Sequence, residues 1–276
     1  MKPYLCIYHG SCLDGFSAAW VVRKALGEEN VDFFHGVYQQ TPPDCKGRDV
    51  IFVDFCYRRE IMQQIVIDSK SVLVLDHHKS AQDEMSNVLF RASTDKVFFD
   101  MEHSGAVLAW IHFFTPGTTP ILLNLIEDRD LWKFKWPLTR EVNAAMFSYE
   151  YTFENWDKLM KMQQDTLATE GAAIDRKHHK DIDELLKVVC RPMVIGGIRV
   201  LVANLPYTMG TDAAVKLIEQ GQPFGAYCYD VPDGRVFGLR STDAGPDVSE
   251  IAKQYGGGGH RNAAGFRVKI GWVEEV

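Results

Sequence analysis

Three apolar runs do most to restrict what this chain can fold into: PYLCIYH (3–9), DVIFVDF (49–55) and SVLVLDH (71–77). They are continuous rather than alternating, which is the pattern of strands buried on both faces. Between them lie stretches of helical character. DGFSAAWVVRKAL (14–26) has Asp14 near its start, and REIMQQIVID (59–68) separates the second run from the third. Strands of this kind, separated by helices, predict an α/β domain with a parallel sheet covered on both sides. SGAVLAWIHFF (104–114) and the 119–132 region read as further helices.

The pattern changes in the second half. Residues 153–188 hold no proline and are rich in helix formers, which suggests one or two helices bridging two domains; a peripheral helix of the first domain is the plainer alternative. Beyond them RPMVIGGIRVLVANL and FGAYCYDVPDGRVFGLRS read as hairpin strands, the latter turning at Pro232, Asp233 and Gly234. The chain of 276 residues is therefore expected to contain a parallel-sheet α/β domain over 1–150, a helical linker over 151–189 and a smaller α/β domain over 190–276.

Each apolar run ends in side chains that can hold a metal. His9, Cys12 and Asp14 follow the first, Asp54 lies near the end of the second, and Asp76, His77 and His78 close the third. In an open parallel sheet the carboxyl ends of the strands share one edge, and ligands bind there. Carboxylates crowded in a desolvated crevice repel one another, and divalent cations relieve this. Mixed carboxylate and imidazole donors suit manganese, iron, cobalt or magnesium. Singly, His9 reads as an ordinary core or surface histidine and Asp54 as a helix cap. Agreement at three strand ends favours a metal site.

A second cluster is YGGGGHRNAAGF (255–266). Its glycines, Gly257, Gly258 and Gly259 among them, permit a nest of backbone N–H groups for an anion. His260 and Arg261 add cationic donors, and Arg240, ending a β run, is a second phosphate clamp or a solvated arginine. Tyr255, Phe237 and Phe266 flank these motifs; core packing is the favoured reading over base stacking.

Other chemistries are disfavoured. The net charge of −7 argues against a long non-specific nucleic-acid surface. Six cysteines without CxxC spacing make neither a zinc finger nor a thioredoxin motif. C-x5-R, GxxxxGK[ST] and G-x-S-x-G are all absent. With no run of membrane-spanning length and no signal-peptide pattern, the expectation is a cytoplasmic protein without membrane association.

With these residues assembled, the chain resembles the DHH phosphoesterase superfamily with the DHH-associated C-terminal domain. The literal Asp76-His77-His78 triplet, VDF around Asp54 and GGGGHRNAAG at 256–265 carry the resemblance, in the family's order and across nearly the whole chain. It implies a metal-dependent phosphoesterase that uses a metal-activated water, with its catalytic cleft between the domains. Manganese is the implied ion, one or two per site, with magnesium or cobalt as alternatives. His9, Asp14, Asp54 and His77 match metal-binding positions, His78 lies nearer the substrate phosphate, and Asp76 orients the histidines. The fourth-motif ligand is Asp128, with Asp130 as runner-up. Arg240, the glycine loop, His260 and Arg261 would bind substrate. Where the family has its first aspartate this chain has Cys12, a soft thiol in place of a hard carboxylate. The implied substrates are short oligonucleotides, dinucleotides or bisphosphorylated nucleosides. A polyphosphatase or pyrophosphatase and a catalytically impaired nucleotide-binding module are the alternatives, and a homodimer stays open beside a monomer.

Overall fold

The computed structural model describes residues 2–10, 12–37 and 40–272. The chain forms two compact units that divide between Asp175 and Arg176.

The first unit runs β1 (Tyr4–His9), α1 (Leu13–Leu26), β2 (Val31–Gly36), β3 (Asp49–Val53), α2 (Arg59–Asp68), β4 (Ser71–Asp76), α3 (Lys79–Met85), β5 (Lys96–Phe99), α4 (Gly105–Phe114), α5 (Ile121–Asp130), α6 (Thr139–Phe147) and α7 (Phe153–Leu159), and then enters α8 (Gln164–Val189). Its sheet is parallel throughout, in the order β2-β1-β3-β4-β5. Successive residues of one strand serve opposite cores, which explains the continuous apolar runs. Leu5, Ile7, Val50, Phe52, Val72 and Val74 pack with Met62 and Ile65 of α2 on one face. Cys6, Ile51, Val53 and Leu75 face the other, among residues of α1, α4, α5 and α6. The order reverses between β1 and β3, so the carboxyl ends of these neighbours flank the switch point where α/β sheets bind ligands.

The expected linker is divided between the units rather than separate from them. Trp156, Leu159, Leu167 and Ala168 are buried in the first core. Trp156 Nε1 donates to Ser17 Oγ at 2.9 Å, and Arg23 of α1 pairs with Asp157 at 2.8 Å. Ile182 and Leu186, farther along α8, pack instead with Ala213 and Leu217 of the second unit.

The second unit continues through β6 (Cys190–Ile195), β7 (Ile198–Asn204), α9 (Tyr207–Glu219), β8 (Gly225–Val231), β9 (Gly234–Arg240), α10 (Val248–Lys253), β10 (Gly258–His260) and β11 (Ala263–Val268). Its six-stranded sheet has the order β10-β11-β9-β8-β7-β6, with β7 and β8 parallel across α9 and the remaining pairs antiparallel. Phe237 and Phe266 stack at 4.9 Å within its core, and Tyr255 stacks on Phe266 at 4.4 Å. Core packing is thus what these aromatics do. No helix among the described residues is long and apolar enough to cross a membrane.

Candidate metal centre

Beyond β3 the backbone of Asp54 takes a left-handed conformation, φ 56°, while its N–H still donates to Leu75 O at 2.9 Å. Aspartate tolerates this region better than most residues. The turn sets its carboxylate, 1% exposed, beside the ends of β1 and β4. Asp54 Oδ1 lies 3.0 Å from His77 Nε2, and Oδ2 lies 3.4 Å from His9 Nδ1.

Asp14 reaches the same place from the first turn of α1. Its two oxygens accept the N–H groups of Gly105 and Ala106 at 2.6 and 3.0 Å, capping α4 from a distant part of the chain. These donors and the helix dipole favour its charged form. The approach is close because residue 105 is glycine: a Cβ there would lie 2.5 Å from Asp54 Cβ and 3.0 Å from Asp14 Oδ2.

Asp76 is fully buried and orders its own triplet. Its Oδ1 accepts the backbone N–H groups of His77 and His78 at 2.7 and 3.1 Å and lies 2.7 Å from His78 Nδ1. That fixes the His78 ring, which meets His9 edge-on at 5.8 Å.

The two candidate aspartates of α5 point to different places. Asp128 is buried, but its carboxylate accepts Lys135 N, Trp136 N and Thr139 Oγ1 at 2.8, 3.0 and 2.6 Å, organising the 131–139 turn. Asp130, two residues on, points to the cluster instead, with Oδ2 3.5 Å from His77 Nε2. His77 Nε2 consequently faces three carboxylates, those of Asp54, Asp130 and Asp14, at 3.0, 3.5 and 4.0 Å.

The electrostatics reflect this crowding. Burial, then Asp54 and Asp130, push the Asp14 carboxyl well above the usual range. Burial and Asp54 likewise raise Asp130 against the pull of His77. Burial would lower the His77 imidazole, but Asp54, Asp130 and Asp14 overcome it and push it up to about 10. Asp54 is favoured by burial to protonate, yet His77 and His9 hold it below its ordinary value. The Cys12 thiol is pushed up by burial, Asp54, Asp130 and Asp14. The crowded carboxylates leave an excess of negative charge that a divalent cation would answer.

The donor set fits such an ion. Donor atoms of Asp14, His77 and Asp130 lie within 4.8 Å of one another, as do those of His9, Cys12 and Asp54. Among the described residues no donor reaches the buried Asp54 Oδ2 in hydrogen-bond geometry.

The glycine cluster of the second unit differs from the open nest expected of it. The N–H groups of Gly256 and Gly257 donate to Lys253 O and Ala252 O at the end of α10. Gly258 and Gly259 begin β10, paired with Gly265 and Ala264 of β11. A Cβ at Gly257 would lie 2.1 Å from Gly265 O, and one at Gly259 2.4 Å from Ala263 O, so close strand packing requires glycine at both. Arg261 Nη2 donates to Asp243 O and Gly245 O at 3.1 and 2.9 Å, holding the segment before α10. Arg240 donates to Thr211 Oγ1 at 2.7 Å. His260 ends β10 and is half-buried.

No family model matches the chain. It is 32% identical over 286 aligned positions to uncharacterized protein R106 of Acanthamoeba polyphaga mimivirus, covering 94% of this chain but 66% of that relative's length. Among solved structures it is similar to the pGpG-specific phosphodiesterase PggH from Vibrio cholerae, with 15% identity, coverage of 98% of this chain and 94% of that one, and a TM-score of 0.49. Exonuclease RecJ bound to manganese has 14% identity, coverage of 96% and 86%, and a TM-score of 0.48. An exopolyphosphatase-related protein from Bacteroides fragilis has 11% identity, coverage of 99% and 88%, and a TM-score of 0.46.

Proposed function

We propose that the chain is a metal-dependent phosphoesterase of the DHH superfamily that hydrolyses phosphoester bonds of short nucleotides. The observation that supports it best is the ring of Asp54, Asp130 and Asp14 around His77 Nε2, with Asp54 Oδ2 turned to His9 Nδ1 at 3.4 Å on the other side. Asp14, Asp54, His77 and Asp130, with His9 and Cys12 adjoining, would hold a divalent ion, which would supply an acidified water and neutralise charge on a phosphoryl oxygen. Asp54 offers one oxygen to each donor group and is the residue both share. Asp76 orients His78 through Nδ1, so that His78 serves the substrate phosphate through Nε2. In this mechanism no side chain attacks phosphorus. The Cys12 thiol, pushed up by burial and by Asp54, Asp130 and Asp14, is not used as a nucleophile.

Arg240, His260 and Arg261 are the proposed grip on the substrate's terminal phosphate. The acidic net charge of −7 supports a short substrate over a long polymer. The test is a manganese-supplemented comparison of mononucleotide release from a dinucleotide with phosphate release from polyphosphate. Dinucleotide turnover that disappears in Asp54→Ala, with the fold retained, is expected. Phosphate release from polyphosphate alone would replace the nucleotide reading by the polyphosphatase one. Binding without turnover under every metal would favour a nucleotide-binding module.

A further inference from the structure

Asp54 stands between two chemically unlike donor sets. On its Oδ1 side are His77, Asp14 and Asp130, one imidazole and two carboxylates. On its Oδ2 side is His9, with Cys12 completing the set; their donor atoms and that of Asp54 all fall within 4.8 Å. Cys12 is placed by the fold rather than by a flexible tether. It is the residue before α1, in extended conformation, and its carbonyl accepts Phe16 N at 3.0 Å. Asp54 is 1% exposed, and its Oδ2 stands 3.4 Å from His9 Nδ1, outside hydrogen-bond geometry among the described residues, so the thiol, the imidazole and a buried carboxylate oxygen converge.

Thiolate and imidazole select borderline ions such as zinc, cobalt and ferrous iron, whereas carboxylate-rich sets accept manganese and magnesium readily. The family resemblance already implies cation sites that share an aspartate; we infer that Cys12 makes the two sites around Asp54 unlike. The His9–Cys12–Asp54 site takes a thiophilic divalent ion, and the Asp14–Asp54–His77–Asp130 site takes a harder one. The inference rests on the metal-dependent reading above and assigns Cys12 a ligand's place. On this account the thiol changes which ion occupies the site instead of emptying it.

The experiment is a cobalt(II) titration of the full, metal-stripped chain, followed by absorption. Wild-type protein is expected to develop a thiolate-to-cobalt charge-transfer band in the near ultraviolet. Cys12→Ser is expected to lose that band while keeping visible cobalt absorption from the carboxylate-rich site. Zinc affinity at the first site should fall about tenfold or more in Cys12→Ser, the scale on which metal-site changes act. Cys12→Asp should shift its preference toward manganese. The five other cysteines make the Cys12→Ser comparison necessary, since a band that persists in that variant belongs to one of them and overturns the inference. Bound cobalt without any thiolate band would also overturn it, leaving the metal-dependent reading intact. No bound cobalt at all would sink that reading itself. Should Cys12→Ser fold poorly by circular dichroism, the wild-type band together with Cys12→Asp decides the matter.

Discussion

Replacing Gly105 by alanine adds one methyl group at the point where α4, Asp14 and Asp54 meet. Its carbon would stand 2.5 Å from Asp54 Cβ and 3.0 Å from both Asp54 Cα and Asp14 Oδ2. That is about 1 Å short of an ordinary carbon–carbon contact, so the carboxylates or the helix start must give way. Overpacking of this kind costs about 1–3 kcal/mol. Alanine returns up to about 1 kcal/mol of helix propensity at a position that begins a helix. The net stability loss is thus only about 0–2 kcal/mol, too small to diagnose the site by itself. Metal affinity is the sharper readout, because designed and natural sites hold their ligands within about 0.5 Å. Manganese binding measured by calorimetry should weaken at least about tenfold. Turnover should fall by up to about a hundredfold, the effect expected of a 1 Å misplacement. Gly47→Ala is the control: it is strained by a φ of 68°, costs about 1–2 kcal/mol, and meets nothing within 4 Å. Wild-type manganese affinity in Gly105→Ala would refute the claim that α4 holds Asp14 and Asp54 in register for the ion.

Two further substitutions separate support from ligation and test a distant ion pair. Asp128→Ala should destabilise the first unit by about 2–4 kcal/mol, since it strands Lys135 N, Trp136 N and Thr139 Oγ1. Asp130→Ala should leave the melting temperature nearly unchanged while weakening metal binding, and the opposite pattern would restore Asp128 as the ligand. Asp95 is pushed up by burial, but the side chain of Arg91 and the N–H groups of Arg91 and Val72 outweigh this and hold its carboxyl below the ordinary value. Its stabilisation is therefore complete above the unfolded carboxyl value of about 4 and is lost as pH falls below it. Urea unfolding should show Asp95→Asn weaker than wild type at pH 7 and converging with it toward pH 3; a constant difference across that range would contradict the assignment.

The central strands were legible because burial on both faces leaves an unbroken apolar run, and β1, β3 and β4 all carry one. The edge strands carry none. In β2 Asp32 is half-buried and His35 exposed, and in β5 Lys96 and Phe98 are exposed, so both segments look like loops in sequence. The convergence of the strand-end residues followed from the sheet rule, but α5 offered two aspartates two positions apart. Such neighbours point about 200° apart around a helix, and only the turn at 131–139 reveals which one is engaged. The capping of α4 by Asp14 spans 91 residues, and no local pattern announces it. The glycine run was readable as a special backbone. Its purpose was not, because the close partner strand β11 lies after it in the chain.

The most direct test of the metal centre is an anomalous-scattering map from crystals of the chain grown with manganese. The account predicts a peak bonded to Asp54, His77 and Asp130, with Asp14 at its side. A map with no peak among these residues, or with its ion on Asp128, would contradict it.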